Sequence, residues 1–382
     1  MILRRAFPVL VVALALAGCR PPPRGASAAG DEIPIGLYGS LTGATATFGQ
    51  STEAGVTLAT DEVNAAGGLL GKKVRLIVED NQGKPNEAVN AVLKLIQRDR
   101  VVAVLGDVAS SLSIAAAPVC QQNRVPMISP SSTNPKVTEM GNFIFRACFI
   151  DPFQGEVMAK FALDTLKAKT AAVFTDRKND YSVGLAKFFK EKFVARGGQL
   201  VADEGYQAGD REFKPQLTNI RAANPEVVFV PGYYTECALI ARQARELGIQ
   251  VPLLGGDGWD SEVTLQSGGE AVEGVYFSNH YHQDDPRPEV QSFVKKFREL
   301  HQGHSPDAMA VTGYDAANIL YDAIRRAGSS DPVAIREALA KTMDFKGVSG
   351  NITLGPDRNA RKSAVVLKIE DGRFKFVQLV VP

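Results

Sequence analysis

The sequence predicts an α/β fold built as two doubly wound parallel-sheet lobes. Its 382 residues exceed what one ordinary core accommodates and suit two. Hydrophobic residues make up 45% and charged residues 22%, the balance of a soluble globular protein. Short apolar runs alternate with amphipathic helical stretches, and the alternation is played through twice, which calls for parallel sheets covered on both faces.

In the first round, strands are expected over residues 33–38, 74–79, 101–105 and 125–128, with helices over 49–66 and 86–98. The first helix stops at Gly67-Gly68, because glycine accepts the backbone conformation that ends a helix. In the second round, strands are expected over 171–175, 200–206, 227–230, 252–254 and 275–278, and helices over 181–196, 213–223 and 236–247. Three helical segments follow, over 288–301, 307–327 and 331–341. The chain then closes with a hairpin, 364–370 and 374–381, turned at Asp371-Gly372. The economical place for the extra helices is back on the first lobe.

The N-terminus has a different composition. Two arginines within the first five residues precede an almost wholly apolar run over 6–16, and small residues then lead to Cys19. This is the layout of a secretory signal peptide. The run is far shorter than the ~20 residues a membrane span needs. Leu16-Ala17-Gly18-Cys19 resembles a bacterial lipobox. Residues 1–19 are therefore expected to be a lipoprotein signal peptide with Cys19 acylated; the alternative is a plain signal peptide that contains a cysteine. Arg4-Arg5 is a poor match to a twin-arginine signal. Residues 20–30, rich in proline, alanine and glycine, read as a flexible tether. With no second long apolar stretch, the expected mature protein is anchored by lipid rather than membrane-spanning. Cys120, Cys148 and Cys237 leave room for one disulfide in an oxidising compartment, with at least one thiol free. A net charge of +1 supplies no basic field for nucleic acid.

Four loops follow strand C-terminal ends, where open α/β sheets bind ligands. Gly106-Asp107-Val108-Ala109-Ser110-Ser111 opens a helix whose free N–H groups suit a carboxylate, although Ser110 or Ser111 could simply cap that helix. Ser129-Pro130-Ser131-Ser132-Thr133-Asn134-Pro135 is stiffened by prolines and lined by hydroxyls. In Gly255-Gly256-Asp257-Gly258-Trp259-Asp260, glycines let the backbone approach a ligand closely. There Asp257 could pair with an ammonium group beneath Trp259, while Asp260 could cap the next helix. Pro231-Gly232-Tyr233-Tyr234 places paired tyrosines at a strand end, a place that suits the wall of a cleft.

Read with Gly39-Ser40-Leu41-Thr42-Gly43, Phe48-Gly49, Asn64-Ala65-Ala66-Gly67-Gly68, Phe145-Arg146, Gln154-Gly155, Asp176 with Tyr181-Ser182-Val183-Gly184, and Arg242-Gln243-Ala244-Arg245, these loops carry a resemblance. The chain is similar, over nearly all of 33–380, to the branched-chain amino-acid-binding proteins of bacterial ABC transporters, which have the type I periplasmic binding fold. The resemblance implies two lobes joined by a three-crossing hinge, with crossings near 150–152, 278–280 and 354–357. It places 31–150 plus 280–354 in the first lobe and 151–279 plus 355–382 in the second. It implies a hinge that closes on a small amino acid of the leucine, isoleucine or valine type, in a monomer that serves permease subunits from the periplasmic side of the envelope. Ser110 and the loop around Ser131 and Thr133 would hold the ligand carboxylate. Asp257 would receive the ammonium, helped by Thr133, and Phe48, Tyr181 and Tyr233 would line the side-chain end. Three departures bear on the ligand. Asp257 stands where the best-known members carry glutamate, Ser131 where some carry alanine, and Gln82 and Ala109 where some carry a disulfide. Another small solute (an amide, urea or an aromatic acid) or a sensory binding module is the alternative within this fold.

An enzyme is the competing class. There is no Gly-x-Ser-x-Gly elbow, phosphate loop or dinucleotide glycine fingerprint. The four histidines, His280, His282, His301 and His304, come late in the chain, apart from the hydroxyl-rich loops. His280 and His282 beside Asp284-Asp285 read as a solvated polar loop rather than a metal site. No nucleophile–base pair is named. The expectation is a binder with no cofactor or metal.

Overall fold

Glu32–Gly39 is buried without a break from Ile35 onward, as an inner strand of a parallel sheet covered on both faces requires, and it is an interior strand of the first sheet. The computed structural model describes residues 32–382. The expected signal peptide, Cys19 and the tether lie outside the described residues. The first sheet comprises β1 (Glu32–Gly39), β2 (Lys73–Asp80), β3 (Ala103–Leu105), β4 (Met127–Ser129) and β5 (Ile144–Arg146), in the order β2-β1-β3-β4-β5 with every pair parallel. Helices α1 (Ala46–Ala65), α2 (Pro85–Leu93), α3 (Ser110–Asn123) and the short α4 (Lys136–Glu139) connect them.

The second sheet repeats this plan. After α5 (Asp151–Lys160) come β6 (Thr170–Asp176), α6 (Asp180–Ala195), β7 (Gln199–Tyr206), α7 (Lys214–Ala222), β8 (Val227–Phe229), α8 (Tyr234–Glu246), β9 (Leu253–Gly255), α9 (Glu262–Gly268) and β10 (Tyr276–Asn279). The strand order β7-β6-β8-β9-β10 is the same as in the first sheet. In both, the order reverses beside the first strand, and the crevice at that switch point is where such sheets bind ligands.

The chain then returns. α10 (Pro288–Leu300), α11 (Ala308–Ala327) and α12 (Pro332–Leu339) follow, and α11 and α12 pack with α1 over one face of the first sheet in a single apolar cluster. A small sheet, β11 (Phe345–Gly347), β12 (Gly350–Leu354) and β13 (Ala360–Arg361), closes that layer. Because β13 pairs back onto β12, the chain enters the second sheet only at β14 (Ala364–Glu370), antiparallel to β10, with β15 (Arg373–Val380) at the edge. The remaining sheet faces are covered by α2 and α3, by α5 and α6, and by α7 and α8. The α/β, doubly wound parallel class read from the sequence is therefore the fold. No described helix is long and apolar enough to cross a membrane. Cys120, Cys148 and Cys237 are all buried free thiols.

The α1–α11 contact rests on two glycines. A Cβ at Gly55 would fall 1.9 Å from the Ala310 carbonyl oxygen, and one at Gly313 would fall 2.8 Å from that of Thr52. The helix backbones thus approach closely enough to exclude any side chain there. Gly55→Val is expected to cost at least ~1–3 kcal/mol by overpacking, read as a clear drop in melting temperature; an unchanged melting curve would show that the two helices part without penalty.

Candidate functional site

The C-terminal ends of β3 and β4 in one sheet approach those of β6, β8, β9 and β10 in the other. Direct bonds join the two sides. Ser111 Oγ and Asp180 Oδ2 lie 2.9 Å apart, Asn134 Nδ2 donates to the Asp180 carbonyl at 2.7 Å, and the Tyr234 hydroxyl donates to the Ala44 carbonyl at 3.0 Å.

On the first side, the loop after β4 is held rigid from beneath. Arg146, fully buried at the end of β5, donates to the carbonyls of Ser132 and Asn134. Ser132 Oγ bonds the carbonyls of Asp107 and Val108 and meets Ser113 Oγ. The two loops therefore move as one piece. Ser110 Oγ accepts from the Asn134 N–H at 3.2 Å, and neither Ser110 nor Ser111 caps α3. Their hydroxyls tie loops together instead. Ser131 Oγ lies 2.6 Å from Thr312 Oγ1 on α11. Thr133 is fully buried with its hydroxyl in no well-formed hydrogen bond, and its carbonyl accepts from the Asp151 N–H at 2.9 Å.

On the second side, Asp257 sits in the turn after β9 and is 3% exposed. Its Oδ1 accepts from Gln154 Nε2 at 2.8 Å and from the Tyr181 hydroxyl at 3.0 Å; its Oδ2 lies 3.1 Å from His280 Nε2. Tyr181 stacks on Tyr233 with centroids 5.2 Å apart and planes 8° apart. Phe48, from the start of α1, sets its ring edge-on against Tyr233 and Tyr234 at 5.6 and 4.8 Å. With Val108, Tyr234 and Met309 it forms a small apolar cluster bridging the two sides. A Cβ at Gly258 would lie 2.4 Å from the Gly232 carbonyl oxygen, so the Asp257 turn can seat against the β8 loop only with glycine there.

Of the seven positions read from the sequence, Asp257, Tyr181, Tyr233 and Phe48 form a continuous chain of contacts. Ser110 bonds Asn134 within the loops of the first side, Thr133 lies buried against the start of α5 through its bond from the Asp151 N–H, and Ser131 turns toward α11. Tyr181 does more than line a wall, since it donates to Asp257. Two readings of the glycine loop are corrected. Trp259 does not cover the site: it is fully buried in the second sheet's core and donates Nε1–H to the Val230 carbonyl at 2.9 Å. Asp260 does not cap α9; Ser261 does, while Asp260 accepts from Asn279 Nδ2 and from the Ala308 N–H across to α11.

Three buried groups were missed: Asp151, Gln154 and His280. His280 was set aside for coming late in the chain. The sheet topology overturns that, because β10 lies beside β9, so the residue after β10 falls next to the loop after β9. Asp151 has both carboxyl oxygens buried without a well-formed hydrogen bond, and burial pushes its pKa up to about 8; the nearby Thr133 hydroxyl pulls against this, the Asp257 charge adds to it, and Arg146 opposes it. Burial likewise holds the His280 imidazole below its ordinary pKa, against the pull of Asp257. Hydroxyl-bearing loops and the start of α3 thus lie on the first side, the buried carboxyl groups of Asp151 and Asp257 on the other, with an apolar cluster joining the two. That pattern complements a small solute bearing both charges and an apolar group.

Two α/β layers whose strand-end loops face each other across such a cleft define a solute-binding architecture. The chain belongs to the periplasmic binding protein family, whose model it matches over residues 32–373. An amino acid binding protein from Pseudomonas aeruginosa is 33% identical over 353 residues, covering 91% of this chain and 92% of that one. A leucine-binding protein from Thermotoga maritima is 42% identical and superposes with a TM-score of 0.89, covering 92% of this chain and 99% of that one. The substrate-binding protein of a branched-chain amino acid transporter from Streptococcus pneumoniae, solved with isoleucine, is 32% identical with a TM-score of 0.87 and covers 92% and 100%. These relatives are binding proteins, and the family is extracytoplasmic.

Proposed function

We propose that this protein captures a branched-chain amino acid in the cleft between its two sheet layers and presents it to an ABC importer. What supports this is a buried Asp257 on one side, buried Ser110 and Thr133 in the loops of the other, and the apolar cluster of Phe48, Val108, Tyr234 and Met309 that joins the two sides. A zwitterion needs both poles a few ångströms apart, and an aliphatic side chain needs the apolar end. Charge-assisted hydrogen bonds of this kind contribute ~1.5–3 kcal/mol each. The relatives that bind leucine and isoleucine support the ligand class.

In this reading the two sheet layers are lobes, and the chain passes between them through the segments before α5, after β10 and before β14. Closure is then a hinge motion about three strands of chain. Signal-peptide cleavage leaves Cys19 acylated, and residues 20–30 tether a monomer to the membrane. Cys19→Ser is the control for anchoring, since it removes the thiol that the lipid modification requires.

Thermal-shift measurement with leucine, isoleucine and valine, beside amides, urea and benzoates, tests the ligand class. A ligand at a hundred times its Kd stabilises by ~2.7 kcal/mol. At least one aliphatic amino acid is expected to raise the melting temperature by several degrees. A response confined to aromatic acids or amides would overturn the reading.

A further inference from the structure

Asp257 is held by more donors than orienting one side chain requires. A carboxylate accepts at about four lone-pair positions. Gln154 and Tyr181 fill both on Oδ1, and His280 Nε2 takes one on Oδ2. One acceptor position on Oδ2 remains for anything entering the cleft. His280 is the group that sets its direction, because among the described residues its bond is the only one to that oxygen. The His280 side chain is 0% exposed, and its ring stacks on Phe149 with centroids 4.1 Å apart and planes 25° apart. Its backbone N–H is tied back to Asn279 Oδ1 at 2.8 Å. Nδ1 has no partner, so in the neutral ring the proton is best placed on Nε2, facing the carboxylate.

We propose that His280 is a positioning residue of the ligand site: neutral, it donates Nε2–H to Asp257 Oδ2 and turns the free acceptor position toward the ligand ammonium; protonated, it becomes a cation that competes with that ammonium. The assignment rests on the amino-acid reading above. The charged groups that face the ring are Asp257, which favours the imidazolium, and Lys362, which disfavours it; Asp151 faces Asp257 from the start of α5. Burial outweighs the Asp257 contact, so the neutral form is the one present at neutral pH, and competition develops on the acid side.

The test is calorimetry on the full chain with leucine, isoleucine and valine from acid to neutral pH, comparing the unsubstituted protein with His280→Phe and His280→Gln. Phenylalanine keeps the stack on Phe149 and removes the donor; glutamine restores a donor that does not titrate. At neutral pH, His280→Phe is expected to bind about tenfold more weakly, and His280→Gln to stay within about threefold of the original. The unsubstituted chain alone should show an extra one-proton loss of affinity toward acid pH, beyond the titration of Asp107, Asp151, Asp260 and Asp307 that all three proteins share. Identical affinities and pH profiles in all three would overturn the assignment and leave the amino-acid reading standing. Failure of the unsubstituted chain to bind any of the three amino acids would bring down that reading and the assignment with it. A ligand-free readout guards against misfolded variants. The His280 ring resonance should titrate at still lower pH in Asp257→Asn, which removes the charge that favours its protonation, and an unmoved titration would show that the two groups are not coupled.

Discussion

Replacing Asp257 by asparagine is expected to weaken amino-acid binding by at least about tenfold, because ~1.4 kcal/mol is one factor of ten and losing one partner of a desolvated charged pair costs ~2–5 kcal/mol. The substitution is informative because its surroundings can absorb it. Asparagine Oδ1 can keep the bonds from Gln154 and Tyr181. Its amide nitrogen then meets His280 Nε2, which becomes the acceptor if the proton moves to the unpartnered Nδ1. The cage survives, and what is lost is the charge together with the free acceptor position on Oδ2. The effect should therefore be selective for ligands with an amino group. Isocaproate, which is leucine without that group, should bind the original protein poorly and lose little more on substitution. Calorimetry on both ligands with both proteins decides the matter. Equal weakening of both would make Asp257 a residue that merely orders its own turn, and an unchanged leucine affinity in a folded variant would remove it from the site.

The parts of this molecule legible in the sequence are those where local pattern and tertiary role agree. β1, β6 and the β14–β15 hairpin are apolar runs bounded by turn residues, and they lie where the runs predict. β5 is three residues long, too short for any periodicity to register. α5 escaped notice because its buried residues, Asp151, Gln154, Gly155, Val157, Met158 and Ala159, mix polar with apolar and leave no hydrophobic stripe; the structure needs Gly155, where a Cβ would come 2.7 Å from the Phe189 backbone nitrogen of α6. The site divides the same way. Asp257, Tyr181 and Tyr233 stand at strand or helix ends in loops of telling composition. His280, Gln154 and Asp151 reach the site through strand order and the chain's passage between layers, which no local window contains. Trp259 misled for a related reason: a tryptophan beside a glycine-flanked acid suggests a lid, but the turn rolls it inward onto the Val230 carbonyl.

Asp151→Asn is expected to stabilise the folded chain at pH 8 and to leave it nearly unchanged near pH 4. The carboxyl is fully buried with neither oxygen in a well-formed hydrogen bond, and its pKa is raised from 3.8 to about 8. Between those values the folded state keeps the proton and the unfolded state does not. Stability from this group is thus whole below the unfolded pKa and is lost as pH rises through the folded one. Each pH unit of that window is worth ~1.4 kcal/mol, so even partial relaxation of the buried site leaves a gain of ~2–5 kcal/mol for asparagine at pH 8. Other raised acids, Asp107, Asp260 and Asp307, slope the same way, so the quantity to measure is the difference between the two proteins. Lys362, buried with its amine unpartnered and its pKa lowered to about 8, acts in the opposite sense and only at higher pH, where its loss of a proton relieves the folded state. Denaturant unfolding of both proteins from pH 4 to pH 8 gives the curves. Parallel curves would mean that Asp151 is solvated or paired in solution. Diverging curves would show an acid kept buried at a cost beside Asp257, a cost that a cation lowered into the cleft offsets, so leucine should narrow the gap between the two proteins as it binds.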